Sequence, residues 1–112
     1  MDISFKNNKL ARSCNSRDAA VKRWGAVNAA RIMQRLKELQ HSDTLADVFI
    51  LPAARCHELK GSLKGRFAVD ALHPFRLIFA PAHNPLPYKD DGGLDLEKIT
   101  AVVILDVEDY HG

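Results

Sequence analysis

From Ser16 to about His41 no proline interrupts the chain, and Val21, Trp24, Asn28, Ile32, Leu36 and Leu39 recur at spacings of three and four. That period lays one stripe along a single side of a long helix. Ser16, followed by Arg17 and Asp18, predicts its start: a hydroxyl cap with an acid in the first turn. Arg23, Arg31, Arg35, Lys37 and Glu38 fall mainly off the stripe. Trp24 lies on it, so it is expected to anchor the core rather than to offer a base-stacking platform.

Before the helix, Ile3 to Phe5 is a short apolar opening suited to a first or edge strand. After a predicted loop over 42–54 the period changes to two. In SLKGRFAVDAL (62–72), Phe67, Val69 and Ala71 alternate with Arg66, Ala68 and Asp70; in HPFRLIFAP (73–81), Phe75, Leu77 and Phe79 alternate with Arg76 and Ile78. Two such runs joined through Leu72, His73 and Pro74 predict an antiparallel hairpin. Residues 81–98 read as a long acidic connection with one helical turn at 94–99, and AVVILDVED (101–109) reads as a central strand. The order β-α-β-β-β implies a single α+β domain over residues 1–112, a mostly antiparallel sheet packed against N-terminal helical structure.

Composition narrows the class. Among 112 residues, 46% are hydrophobic and 27% charged, as in globular rather than disordered chains. No apolar run is long enough to span a bilayer, and MDISFKNNK lacks the apolar core of a signal peptide. Cys14 and Cys56 form no CxxC pair, so a reduced, cytoplasmic setting with neither disulfide nor zinc site is expected. The net charge of +2 is no nucleic-acid signature by itself. Its distribution is more telling: Lys6, Lys9, Arg12, Arg17, Lys22, Arg23, Arg31, Arg35 and Lys37 make a basic front, while Asp90, Asp91, Asp95, Glu97, Asp106, Glu108 and Asp109 make an acidic rear. Such asymmetry suits a surface that meets a polyanion.

The candidate chemistry is carried by the strands. His57, Lys60, Lys64, Arg66 and Arg76 fall on the predicted sheet and its turns, and Asp109, Tyr110 and His111 follow the last strand. A ribonuclease that works without a metal needs groups of these kinds. One takes a proton from the ribose 2′-OH, one protonates the 5′-oxygen, and cations hold the charge on the phosphate. Histidine suits the proton transfers, and the planar fork of arginine suits the phosphate. Along a continuing strand, Asp109 and His111 share a face and Tyr110 takes the other, so Asp109 could orient His111. Taken singly, each of these residues can also be an ordinary surface residue. No GxGxxG, P-loop, HExxH or GxSxG motif is present, so nucleotide-dependent and zinc hydrolytic chemistry have no support.

Four segments together resemble the HigB-like plasmid maintenance killer toxins of the RelE/ParE superfamily: ISFKNNKL, CHELKGSLKGRFAV, FRLIF and ITAVVILDVEDYH. The resemblance spans most of the chain. It implies a RelE-like fold and a cytoplasmic type II toxin that cleaves mRNA on the ribosome by metal-independent acid–base catalysis, without a cofactor. It also implies inhibition by a helix-turn-helix antitoxin of the HigA kind. Carried over by position, His57, Lys60, Arg76, Asp109, Tyr110 and His111 are the expected catalytic set, with Lys64 and Arg66 expected to bind RNA. The alternative on the same fold is a non-enzymatic toxin or co-repressor, either ParE-like and directed at gyrase or catalytically decayed. The terminal DYH set speaks against the ParE branch. A small RNA-binding fold with no toxin role ranks last, because Phe67, Phe75 and Phe79 alternate as core residues rather than forming an exposed platform.

Overall fold

The computed structural model describes residues 1–109; Tyr110, His111 and Gly112 lie outside the described residues. The strands are β1 (Asp2–Phe5), β2 (His57–Glu58), β3 (Phe67–Asp70), β4 (Phe75–Pro81) and β5 (Ala101–Asp109). They form one sheet in the order β1-β5-β4-β3-β2. β1 runs parallel to β5, and every other pairing is antiparallel. Helices α1 (Asn8–Asn15), α2 (Arg17–Trp24), α3 (Ala26–His41) and α4 (Leu45–Phe49) supply the second layer. The expected α+β sandwich is what forms, with β1 at an edge and β5 inside the sheet.

The helical layer departs from the sequence expectation in three ways. Asn7 caps a helix that the stripe analysis left out, its side chain accepting from the Leu10 amide at 2.8 Å. The predicted helix from Ser16 to His41 is two helices. Gly25, at φ 82 and ψ 160, occupies a backbone region that strongly favours glycine, and the chain turns there between α2 and α3. The expected loop over 42–54 holds α4, started by a reciprocal cap between Thr44 and Asp47, and a tight turn at Pro52–Ala54.

One face of the sheet and the helices enclose the main core. Leu10, Ile32, Leu39, Leu45 and Val48 meet Phe67, Val69, Leu77, Phe79, Val102, Ile104 and Val107. The rings of Phe67 and Phe79 stack at 5.9 Å, and Phe49 meets Phe67 edge-on. Trp24 packs half-buried against this core, with the Arg23 guanidinium 4.9 Å from its ring centre. The opposite face carries a smaller cluster of Leu59, Ala68 and Ile78, flanked by Leu63 and Leu105.

Two strand boundaries also differ. The run 62–72 is extended only over Phe67–Asp70, because residues 60–66 make a loop through a turn at Gly61–Leu63. Gly61 and Gly65 sit there at φ 65 and 91, where a side chain would strain the backbone. That loop folds His57–Glu58 back as a fifth strand, paired with Phe67–Ala68. In β5 the pairing with β4 jumps between Ile78–Asp106 and Phe79–Ile104, so Leu105 is an extra residue. The bulge resets the alternation: Ile104 and Val107 are buried, and Glu108 comes opposite Arg76.

Arg35 contradicts its place off the stripe. It is only 3% exposed. Its Nε donates to the Asp70 carbonyl at 2.7 Å, Nη2 to the Ala53 carbonyl at 2.9 Å and Nη1 to Glu38 at 2.8 Å. Three bonded residues and two layers thus meet on one cation, whose partners offset the cost of burying it. Replacing Arg35 with Met should cost about 3 kcal/mol, since it leaves two carbonyls and a carboxylate without their donor. Replacing exposed Lys37 with Met should change stability by less than about 0.5 kcal/mol. Urea unfolding of the two variants checks the contrast; similar midpoints would show that Arg35 ties nothing together.

Candidate functional site on the open face of the sheet

The face away from the helices carries most of the expected groups. His57 pairs with Ala68 across β2 and β3, while Arg76 pairs with Asp70 on one side and Glu108 on the other. Two cavities lie side by side there, sharing His57 and Arg76. One, of about 300 Å³, is lined by Arg55, Asp70, Ala71, His73, Pro74 and Phe75 together with the shared pair. The other, of about 340 Å³, is lined by Glu58, Leu59, Lys60 and Leu63 with the same pair. Three of the expected catalytic residues, His57, Lys60 and Arg76, therefore meet along one cleft.

The backbone determines the state of His57. Its Nδ1 lies 2.9 Å from the Arg55 carbonyl oxygen, which can only accept, so Nδ1 carries the hydrogen. In the neutral ring this leaves Nε2 with a lone pair, the form required of a general base. The arrangement depends on Arg55, which adopts a left-handed conformation at φ 48 and ψ 48. Non-glycine residues seldom hold that conformation, and where they do it commonly serves a site.

Each arginine of the cleft already faces a carboxylate. Arg76 donates from Nε and Nη2 to Glu108 Oε1 at 3.2 and 2.9 Å, with its side chain only 12% exposed. Arg55 Nε lies 3.5 Å from Asp70 Oδ2, an exposed and weaker pair. Lys60 is exposed and has no carboxylate within ion-pair distance among the described residues. A phosphate entering the cleft would meet Lys60 directly and would compete with Glu108 for Arg76.

Other expected residues are not gathered into the cleft. Lys64 and Arg66 are exposed near the edge of the sheet and line neither cavity. Asp109 stands in register with Phe75, so alternation puts it on the other face from Glu108 and Arg76. Tyr110 and His111 lie outside the described residues. Phe75 packs half-buried against the main core, as expected, and also borders the first cavity. Arg55, Asp70 and Glu108 were not singled out from the sequence. For Glu108 a signal existed: Val102, Ile104 and Val107 are spaced two and then three, as a bulge requires. The acidic connection 81–98 leaves from the far end of β4, about 17 Å along the strand from Arg76. His83 pins it there, its Nε2 accepting from the Thr100 and Ala101 amides. Within it the Gly93 amide and then Lys89 hold the Asp91 carboxyl below its usual range.

No protein-family model matches the chain, and no curated protein matches it by sequence. Its shape does have relatives among solved structures. A chain of the YoeB–YefM complex from Staphylococcus aureus aligns with 100% of this chain and 98% of its own, at TM-score 0.57 and 14% identity. A YoeB/ParE toxin from Agrobacterium tumefaciens aligns over 99% and 100%, at TM-score 0.56 and 9% identity. The YoeB dimer from Staphylococcus aureus gives 0.55 at 16% identity, over 100% and 98%. The fold is that of the YoeB and ParE toxins over its whole length, as the expectation of a RelE-like fold requires.

The thiol beside His57 is not part of the reactive apparatus. Burial pushes Cys56 up to about 12 and Cys14 up to about 11, the latter against the pull of Arg23. A buried neutral thiol is a poor nucleophile. Both folded values lie above the ordinary value of 9.0, so their stabilising contribution is intact below pH 9 and is lost as pH rises toward 11–12. Ellman's reagent at pH 8 should label both thiols at least about tenfold more slowly in the folded protein than in guanidinium. Equal rates would contradict the burial of Cys14 and the partial burial of Cys56.

Proposed function

We propose that this chain is the toxin of a type II toxin–antitoxin pair, a cytoplasmic, ribosome-dependent mRNA endoribonuclease of the HigB-like kind. The observation that carries the reading is the shared edge of the two cavities, where the accepting nitrogen of His57 and the guanidinium of Arg76 line one cleft on the open face. The YoeB and ParE fold supports a toxin role, and the DYH sequence after Glu108 supports the HigB-like branch.

In this reading His57 Nε2 takes the proton from a ribose 2′-OH, and the freed oxygen attacks the adjacent phosphorus. Lys60 and Arg76 stabilise the charge gathered on the phosphate oxygens. As the P–O5′ bond breaks, His111 or Tyr110 donates a proton to the leaving oxygen. Lys64 and Arg66 contribute to RNA binding from the edge of the sheet. The first products are a 2′,3′-cyclic phosphate and a 5′-hydroxyl, a balance that uses only protein groups. An antitoxin is the proposed inhibitor, by analogy with the partnered YoeB–YefM complex; its helix-turn-helix, HigA-like kind is proposed on the sequence resemblance alone.

The Arg76–Glu108 ion pair favours one competing reading, a decayed toxin acting as a co-repressor, because the cation is already satisfied without substrate. Brief induction followed by primer extension on translated mRNA separates the two. Discrete in-frame cuts are expected from the wild-type chain. His57→Gln should lower cutting about 10² to 10⁴-fold, the usual share of a general acid or base. Arg76→Ala and a chain truncated after Glu108 should each arrest growth far less while still binding the antitoxin. Growth arrest without cuts, or full cutting by His57→Gln, would sink the nuclease assignment.

A further inference from the structure

The first cavity has chemistry that the proton-transfer scheme leaves unused. On the far side of His57 and Arg76 from Lys60, its wall carries the Arg55–Asp70 pair, with side-chain exposures of 78% and 36%. An ion pair this open adds little to stability. Arg55 adopts a left-handed conformation, and the Asp70 backbone carbonyl accepts from buried Arg35 at 2.7 Å. A solvent-facing pair on a backbone fixed at Asp70 is a hydrogen-bonding edge, with carboxylate acceptors set beside guanidinium donors.

That edge is selective among nucleobases. Guanine alone presents two adjacent N–H donors, N1–H and N2–H, to match two carboxylate oxygens, with O6 beside them to accept from a guanidinium. Adenine and cytosine offer the carboxylate only their amino group, and uracil only N3–H. Pro74 and an edge of Phe75 line the same cavity and give it an apolar wall against which a base can pack. Carboxylate and guanidinium contacts of this type are a common means of reading base edges.

We propose that this cavity is a guanine subsite, in which Asp70 reads the N1–H and N2–H edge and Arg55 reads O6. The inference rests on the nuclease reading of the cleft. It adds that the nucleotide on one side of the broken phosphodiester is selected for guanine, while the Lys60 cavity takes its neighbour.

The test maps every cut by sequencing 5′ ends after brief induction of the wild-type chain, Asp70→Asn and Arg55→Asn. Asparagine keeps the Asp70 carbonyl for Arg35, and at position 55 it suits the left-handed backbone. Guanine should be enriched at one position next to the cut in the wild type. That enrichment should fall about tenfold in Asp70→Asn, the scale of a bidentate base contact, and should also fall in Arg55→Asn. Cuts without guanine enrichment, or enrichment unmoved by both variants, overturn the subsite and leave the nuclease reading standing. A wild-type chain that produces no cuts overturns both.

Discussion

The buried guanidinium of Arg35 is the constraint on which the layout of the molecule depends. A helix stripe of aliphatic residues can slide or rotate on a sheet at small cost, because apolar contact has no direction. Hydrogen bonds from one planar cation to the carbonyls of Ala53 and Asp70 have direction, and they set where α3 lies relative to β3 and to the turn at 52–54. Asn28 repeats the device one end further along, accepting from the Leu72 amide at 3.1 Å. Together they clamp the segments that lead into and out of the cleft: Ala53 lies two residues before Arg55, and Asp70 is its partner. Stability and the shape of the cleft are thus coupled through polar contacts inside the core.

The cleft is built from neutralised charge rather than from a bare positive patch. Arg76 with Glu108 and Arg55 with Asp70 each leave little net charge, so Lys60 supplies the free cation among the described residues of the two walls. Paired arginines cost less to hold on a half-buried surface, and an arriving phosphate or base can exchange with the carboxylates one contact at a time. Any ligand entering here would have to replace hydrogen bonds of defined geometry and not merely carry charge.

Much of this was legible in the chain. Period-two runs gave the β3–β4 hairpin, the apolar run gave β5, and the sandwich followed from their order. What escaped the sequence had physical causes. Gly25 breaks a stripe whose periodicity runs on across it, so only the glycine could reveal the break. Arg35 looked polar by type, and nothing in a one-dimensional pattern shows that two carbonyls wait for it. Residues 60–66 carry no clear hydrophobic period, yet Gly61 and Gly65 at positive φ make a loop there and bring His57 back to the sheet. Of the site, residue types were readable but faces were not, because the bulge at Leu105 shifts the parity of β5. Arg55 and Asp70, fifteen residues apart, become neighbours only through the fold.

The parallel pairing of β1 with β5 has a consequence for the order of events. Ile3 finds its partner at Val102, and the Lys6 amide bonds to the Ile104 carbonyl. β5, an interior strand of the sheet, thus follows every other described element along the chain. At ordinary elongation rates of about 5–20 residues per second, β1 waits roughly 5–20 s for β5 to exist. Throughout that interval β1 and β4 both present unpaired ladders, and the apolar side of Leu77 and Phe79 lacks its neighbour strand. Non-local closure of this kind is slow and exposes the chain to wrong partners. His57 and Arg76 can be placed early by the β2–β3–β4 segment, but Glu108 cannot reach Arg76 until the final strand slots between its two edges. A nascent chain therefore carries the parts of the cleft without its finished electrostatics, and it acquires them in one late step.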